Sequence, residues 1–410
     1  MFNVSTSYDI VIVGGGAAGC GVAASLLKRD KDLTIAVIEP SSKHYYQPAW
    51  TLVGAGEFNI KKTVRDMADC IPRDAIWLKT SAIAFVPEEN YIETDQLGKI
   101  RYQQLIVAAG LKLDWNGVKG LTETLGKNGV TSNYHFDLAP YTWELAQKLT
   151  SGKAIFTQPP MPIKCAGAPQ KAMYLSCYHW EKQGVLANID VEFNNAGGVL
   201  FGVKDYIEPL MQYVKRYNAQ LSFNSNLVEV DGPSKTAWFN VKDAEGNISK
   251  IAKQFDMLHV APPQTAPDFI KTSPLANADG WVDVHQHTLQ HNRFPNIFSL
   301  GDVTSTPNAK TAAAARKQVI VVAENLLALR AGKEFPSRYD GYGSCPLTVE
   351  KGKIILAEFG YGGKLVPTFN WDSTVPRKSA WILKKHILPW VYWNCLLKGR
   401  EWLARCGACG

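Results

Sequence analysis

Tyr8-Asp-Ile-Val-Ile-Val13, followed by Gly14-Gly-Gly16-Ala-Ala-Gly19, is the stretch that decides the fold. The apolar run reads as a buried parallel strand, and the residues after Gly19 open a helical pattern. Glycines between them permit a tight turn and let backbone approach a pyrophosphate, while the helix N-terminus supplies N–H donors. Alone, such a turn is a weak signal. Here a second strand, Leu33-Thr-Ile-Ala-Val-Ile-Glu39, answers it and ends in an acid, at the spacing from which a carboxylate grips ribose hydroxyls. The expectation is a dinucleotide site; the bland alternative is an ordinary strand–turn–helix.

The far end of the chain chooses between NAD and FAD. Asn296-Ile-Phe-Ser-Leu-Gly301-Asp302 is a short apolar strand running into Gly-Asp, and Lys310-Thr311-Ala312-Ala313-Ala314-Ala315 follows. This resembles the second FAD fingerprint of the glutathione-reductase-like flavoproteins, in which the Asp holds the ribitol. The helix start after it would turn its positive end toward the flavin's pyrimidine edge and favour the anionic reduced ring. Leu105-Ile-Val-Ala-Ala-Gly110 is similar to that superfamily's middle strand. Three matches in order point to FAD. Asp302 as a mere cap of the next segment is the competing reading.

NAD(P)H-using relatives of that kind carry a second strand–GxGxxG–helix unit near mid-chain. The strand is present as Gly152-Lys-Ala-Ile-Phe-Thr157. Then Gln158-Pro-Pro-Met-Pro-Ile-Lys-Cys165-Ala-Gly-Ala-Pro-Gln-Lys171 precedes a helix expected over 172–183. Proline has no N–H to donate and stiffens the turn, so no pyrophosphate cradle remains. Ala196-Gly197-Gly198 with Gly202 does not supply another. A thiol stands there instead, with Lys164 beside it and Lys171 further on, a setting that lowers a cysteine's pKa. Its natural partner is Cys345, in the turn-rich loop Tyr339-Asp-Gly-Tyr-Gly-Ser-Cys345-Pro-Leu. Only the fold could bring these two together. Cys20, Cys70, Cys177 and Cys395 read as small core hydrophobes. Cys406 and Cys409, a CxxC without a partner motif, read as a frayed tail, and no metal is expected.

The stretch 164–171 and Gly343-Ser344-Cys345-Pro346-Leu347 resemble the two cysteine motifs of the sulfide:quinone oxidoreductases of mitochondrial type. His44-Tyr-Tyr-Gln47-Pro-Ala-Trp-Thr-Leu-Val-Gly54 and the segment 301–315 fit as well, so the likeness runs over nearly the whole chain. It implies an α/β fold of two Rossmann-like, glutathione-reductase-like domains with a C-terminal membrane-associating region. It implies FAD contacts at Gly14, Gly16, Ala17, Ala18, Gly19 and Glu39. Further contacts would fall at Gln47, the backbone of Ala82, Gly301 and Asp302, and the helix start Thr311, Ala312 and Ala313. Some members carry another Cys in the region equivalent to 111–134; this chain has none, so its FAD should be non-covalent.

By the same resemblance Cys165 and Cys345 are the catalytic pair, a disulfide or sulfur-bridged trisulfide when oxidised. Hydrogen sulfide, as hydrosulfide, would attack it, leaving a persulfide on Cys345 and a thiolate on Cys165 that sends electrons to the flavin. A small acceptor, a thiol such as glutathione or else sulfite, would remove the sulfane sulfur. A membrane quinone would take the electrons.

Trp371, Trp381, Trp390, Trp393 and Trp402 crowd the C-terminus. The apolar run between Lys385 and Lys398 is shorter than the roughly twenty residues that a span needs. Flanked by Lys384, Lys385, Lys398, Arg400 and Arg405, it suits the membrane–water interface; a buried helical hairpin or a homodimer contact is the alternative. The expectation is a peripheral, monotopic protein of a bacterial cytoplasmic or mitochondrial inner membrane. The 410 residues, 46% of them hydrophobic, can bury a large core in two or three domains. The expected parts are 1–110 and 293–335 for the FAD domain, 111–292 for the second domain with Cys165, and 336–410 for the C-terminal region with Cys345.

A formal charge of +7 is mild, and no basic stretch with interleaved aromatics points to nucleic acid. Eight cysteines are too few for a disulfide scaffold. The first strand starts so early that no room for a signal or transit peptide is expected. Two rivals stand beside this reading. A type II NADH:quinone oxidoreductase needs the missing cradle and neither cysteine. A non-catalytic, thiol-sensing flavoprotein would leave the aromatic tail without a use.

Overall fold

The computed structural model describes residues 6–402 and residue 404. The strand Ser7–Val13 lies inside a seven-stranded sheet and pairs in parallel with Ile35–Ile38 on one side and Gly98–Val107 on the other. Ile10, Val11 and Ile12 are fully buried, as a strand covered on both faces requires. Ile297–Ser299, from late in the chain, adds in parallel to the second half of Gly98–Val107. The helices Ala17–Arg29 and Ala312–Arg330 pack against each other, and both begin at the C-terminal ends of these strands. That end is where open parallel sheets bind ligands.

A second, five-stranded parallel sheet is built around Gly152–Gln158, with Ile189–Asn195 and Met257–His259 as its neighbours. The helix against it spans Ala168–Gln183, starting ahead of the expected position, so the Cys165 loop runs almost directly into it. Pro169 sits in its first turn, where a missing N–H costs nothing. A three-stranded antiparallel sheet, residues 225–254, continues this half.

Three sequence expectations are corrected. Cys345 is not on a loop: Gly343–Glu350 is a strand that forms a hairpin with Lys353–Phe359, Cys345 opposite Ala357. The turn formers lie at its entry, while Cys345, Leu347 and Val349 alternate into the second sheet's core. The chain also rejoins the first core earlier than Arg293, since Ala266, Ile270, Leu275, Trp281 and Leu289 already pack there.

The third correction concerns the tail, where helices Lys378–Ile382 and Leu388–Asn394 are joined by a wide π turn, Leu383–Ile387. Trp381, Trp393, Tyr392 and Leu396 are buried, so much of the tail is core rather than interface. Ile382, Ile387, Trp390 and Trp402 remain exposed. No helix among the described residues is long and apolar enough to cross a membrane. Cys20, Cys70, Cys177 and Cys395 are buried free thiols. Arg405, Cys406 and Cys409 lie outside the described residues.

Candidate functional site

A cavity of about 470 Å³ lies where both sheets, the Cys345 hairpin and the tail meet. One wall is the first glycine turn. Gly14 has φ +106 and a Cβ there would strike the Ala108 carbonyl, so only glycine turns the chain here. At Gly16, by contrast, a Cβ would meet nothing within 4 Å, and Gly16, Ala17 and Ala18 present a helix start to the open space. No side chain caps that helix. Its free N–H groups and the vacant Cβ position fit the approach of a pyrophosphate. Glu39 lines the same wall, one carboxylate oxygen accepting the Gly15 N–H at 2.8 Å and the other the Ser41 N–H at 2.7 Å.

Opposite stand Gly301, Asp302, Thr311, Ala312 and Ala313. The cap of the helix after them is Thr311, whose hydroxyl accepts the Ala314 N–H, and not Asp302. The Asp302 carboxylate has no hydrogen-bond donor among the described residues, and burial pushes its pKa up. It lines the cavity, where it could accept from a hydroxyl-bearing ligand. Lys310 holds the loop by donating to the carbonyls of Asp302 and Thr304. Gln47 also lines the cavity and accepts from Lys164. Gly19 packs beneath the turn, where a Cβ would meet the Gly14 carbonyl, and Ala82 lies on the strand Ala82–Val86; neither reaches the cavity.

The thiols meet at the third wall. Sγ of Cys165 and Sγ of Cys345 stand 3.7 Å apart, and Lys171 Nζ donates to Cys165 Sγ at 3.1 Å. Cys165 is held by its N–H to the Lys310 carbonyl and sits at φ +50. Gly167 makes the approach possible, because a Cβ there would fall 2.6 Å from Cys345 Sγ. Hydrogen bonding from Cys345, then the Lys171 and Lys384 ammonium groups, outweigh burial and set the Cys165 thiol well below its usual pKa. The same contact with Cys165, together with burial, sets Cys345 well above. The lysine contact thus favours the anionic form at Cys165 over Cys345.

Sequence reasoning found Cys165, Cys345 and Lys171 but misplaced Lys384, assigned to a lipid surface. Lys384 is 6% exposed, donates to the Pro48 carbonyl at 3.3 Å, and faces the thiols. Burial first, and Lys171 second, push its pKa down to about 7. A signal was available: Ala380, Trp381, Lys384 and Leu388 share one helical face. Lys385 pairs with Glu57 and Lys398 donates to the Asp69 carbonyl, so these cations too are engaged with protein. His44 was quoted only within a motif, yet it ties the tail to the glycine turn. Its ring bonds the Gly15 carbonyl at 3.0 Å and Tyr392 Oη at 2.7 Å, and burial drives its pKa down to about 4.

Residues 8–148 match the pyridine nucleotide-disulphide oxidoreductase family. The mitochondrial sulfide:quinone oxidoreductase of Dictyostelium discoideum is 45% identical over 394 residues, covering 95% of this chain and 86% of that protein. The mitochondrial sulfide:quinone oxidoreductase of Mus musculus is 38% identical over 392 residues, covering 96% of this chain and 87% of that one. The solved sulfide:quinone oxidoreductase of Aquifex aeolicus superimposes with a TM-score of 0.78 at 20% identity, over 97% of this chain and 92% of that one, a likeness of fold.

Proposed function

Since this chain belongs to the sulfide:quinone oxidoreductase family, we infer that it oxidises sulfide at a flavin and passes the electrons to a quinone. The observation that carries the reading is Cys165 with Lys171 on the wall of the cavity that the two helix starts share, and Cys345 directly behind at 3.7 Å. We assign the flavin as FAD, bound non-covalently. Gly16, Ala17 and Ala18 would face its pyrophosphate, Glu39 the ribose, Asp302 the ribitol, and Thr311, Ala312 and Ala313 the ring's pyrimidine edge. When bound, the flavin supplies a two-electron acceptor beside Cys165.

The thiols stand 3.7 Å apart, so a small approach of the two side chains closes an S–S bond of about 2.05 Å. In an oxidised pair the better leaving group is the thiol of lower pKa. Hydrosulfide then attacks the sulfur on Cys345, the bond to Cys165 breaks, and its electron pair stays on Cys165 as thiolate beside Lys171. Cys345 keeps the persulfide, which a small nucleophile, glutathione or sulfite, removes. Lys171 and Lys384 hold anionic sulfur in a buried place, where unpaired charge is costly.

Exposed Ile382 and Trp390, with Ile387 and Trp402 at the edge of the cavity, would rest on a mitochondrial inner or bacterial membrane surface and make the protein monotopic. The domain division expected from sequence is retained as a proposal, with 266–292 counted toward the FAD domain. A type II NADH:quinone reductase is disfavoured, because prolines and Cys165 occupy the turn where a second pyrophosphate would sit. The test is anaerobic: sulfide should bleach the flavin absorbance of the purified protein and NADH should not. Bleaching by NADH alone would overturn the assignment.

A further inference from the structure

The Cys345 hairpin carries chemistry on both faces. Cys345, Leu347 and Ala357 face the second sheet's core, while Tyr342, Ser344, Leu356 and Glu358 line the cavity. Glu358 stands opposite Ser344, next to the Cys345–Ala357 pair in the ladder, yet on the other side of it. It is 2% exposed and Tyr342 4%. Burying a carboxylate is expensive unless it is hydrogen-bonded. This one takes the Tyr342 hydroxyl at 2.5 Å, the Thr368 hydroxyl at 2.5 Å and the Thr368 N–H at 3.0 Å. Thr368 is exposed and itself lines the cavity, its hydroxyl 3.4 Å from Tyr342 Oη, so the three groups form one hydrogen-bonded cluster that joins solvent to the cavity wall. Phe369, Leu388 and Val391 make the wall beside it apolar.

Accepting the reduction of a quinone, its stoichiometry demands such a path. A quinone becomes a quinol by taking two electrons and two protons. A two-electron donor that carries one proton, as a reduced flavin would, leaves a second proton to be supplied by the residues at the cavity wall. We propose that Tyr342, Glu358 and Thr368 form the path for that proton. The Tyr342 O–H gives its proton to the reduced quinone oxygen, a proton from water at Thr368 moves onto the Glu358 carboxylate, and Glu358 passes it to Tyr342. The charged neighbours are Arg316, whose guanidinium shares the cavity, and Lys317, whose ammonium lies 4.6 Å from the Tyr342 ring centre. Burial first, then the Glu358 carboxylate, hold the Tyr342 pKa up, so its proton stays in place until a base as strong as a quinolate forms.

The proposal separates the two half-reactions. In Glu358→Gln and Tyr342→Phe holoenzymes, sulfide should bleach the flavin at the native rate. Reoxidation by a soluble short-chain quinone should slow by about 10²-fold, the scale of lost acid–base assistance, and Glu358→Asp should recover part of it. Reoxidation by ferricyanide, which takes electrons and no protons, should stay native. Native quinone rates in both variants, or equal slowing with ferricyanide, would overturn the path. If Glu358→Gln does not fold, Tyr342→Phe alone decides. Failure of the native protein to bleach with sulfide would instead sink the family function on which this rests.

Discussion

After Val13 the space beyond the strand is left open, bounded by Gly16 and an uncapped helix start; after Gln158 the corresponding space is filled. There Pro159, Pro160 and Pro162 remove donors, Gly167 lets the loop lie against the hairpin, and Cys165 and Lys171 project into the cavity. Both turns join a parallel strand to a helix, and both helices lack a side-chain cap. The architecture is therefore neutral about chemistry. What differs is whether the helix start is left open, as a phosphate would need, or used to seat a cysteine.

The largest expected effect breaks the second turn. Cys165→Ser and Cys345→Ser should each cut sulfide-dependent quinone reduction by at least about 10³-fold, as loss of an essential nucleophile does, while bound flavin absorbance is retained. Near-native turnover in either would remove the relay. The next breaks the first turn. Gly16→Val adds atoms only to open space, so the apoprotein should melt as the native one does. Its flavin affinity should fall by about tenfold to a hundredfold, the equivalent of roughly 1.4–2.8 kcal/mol. An unchanged flavin content would mean that the pyrophosphate lies elsewhere.

Lys171→Met sharpens the comparison by leaving the thiol and removing one of its cations. The Cys165 thiolate has a depressed pKa, so the variant should lose thiolate as pH falls through a higher value than the native protein does. Alkylation by iodoacetamide, followed against pH, checks the direction; a profile that does not move upward would rule out Lys171 as the cation in control. The smallest effect is at the surface. Ile382→Ser with Trp390→Ser should weaken binding to anionic vesicles several-fold and raise KM for a long-chain quinone alone. Equal KM changes for soluble quinone would show that these side chains act on the pocket instead. Deleting 381–410 is a poor substitute, because it would take away the buried Trp381, Lys384 and Tyr392 as well.

The first turn was legible because everything it needs is local: strand, glycines and helix within one short stretch, and an acid at a fixed distance. Gly301-Asp302 and the loss of the second cradle were legible for the same reason. The geometry of the thiol site was not. Cys345 reads as loop because Gly341, Gly343 and Pro346 surround it, and only pairing with Lys353–Phe359 makes it strand. Lys384 looks like an interfacial cation until the tail folds back over Pro48. Glu358 sits in an unremarkable apolar run, and its partner Tyr342 becomes a neighbour only across the hairpin.

The backbone at Cys165 has a consequence for durability. Most other non-glycine residues with positive φ here are asparagines, which tolerate that region; a cysteine held there costs about 1–2 kcal/mol. Glycine at 165 would relieve that strain, so a chain selected only for resistance to heat would drift toward it and lose the thiolate. Retaining cysteine in the left-handed region is thus a trade of thermal endurance for redox work, made at a single peptide unit.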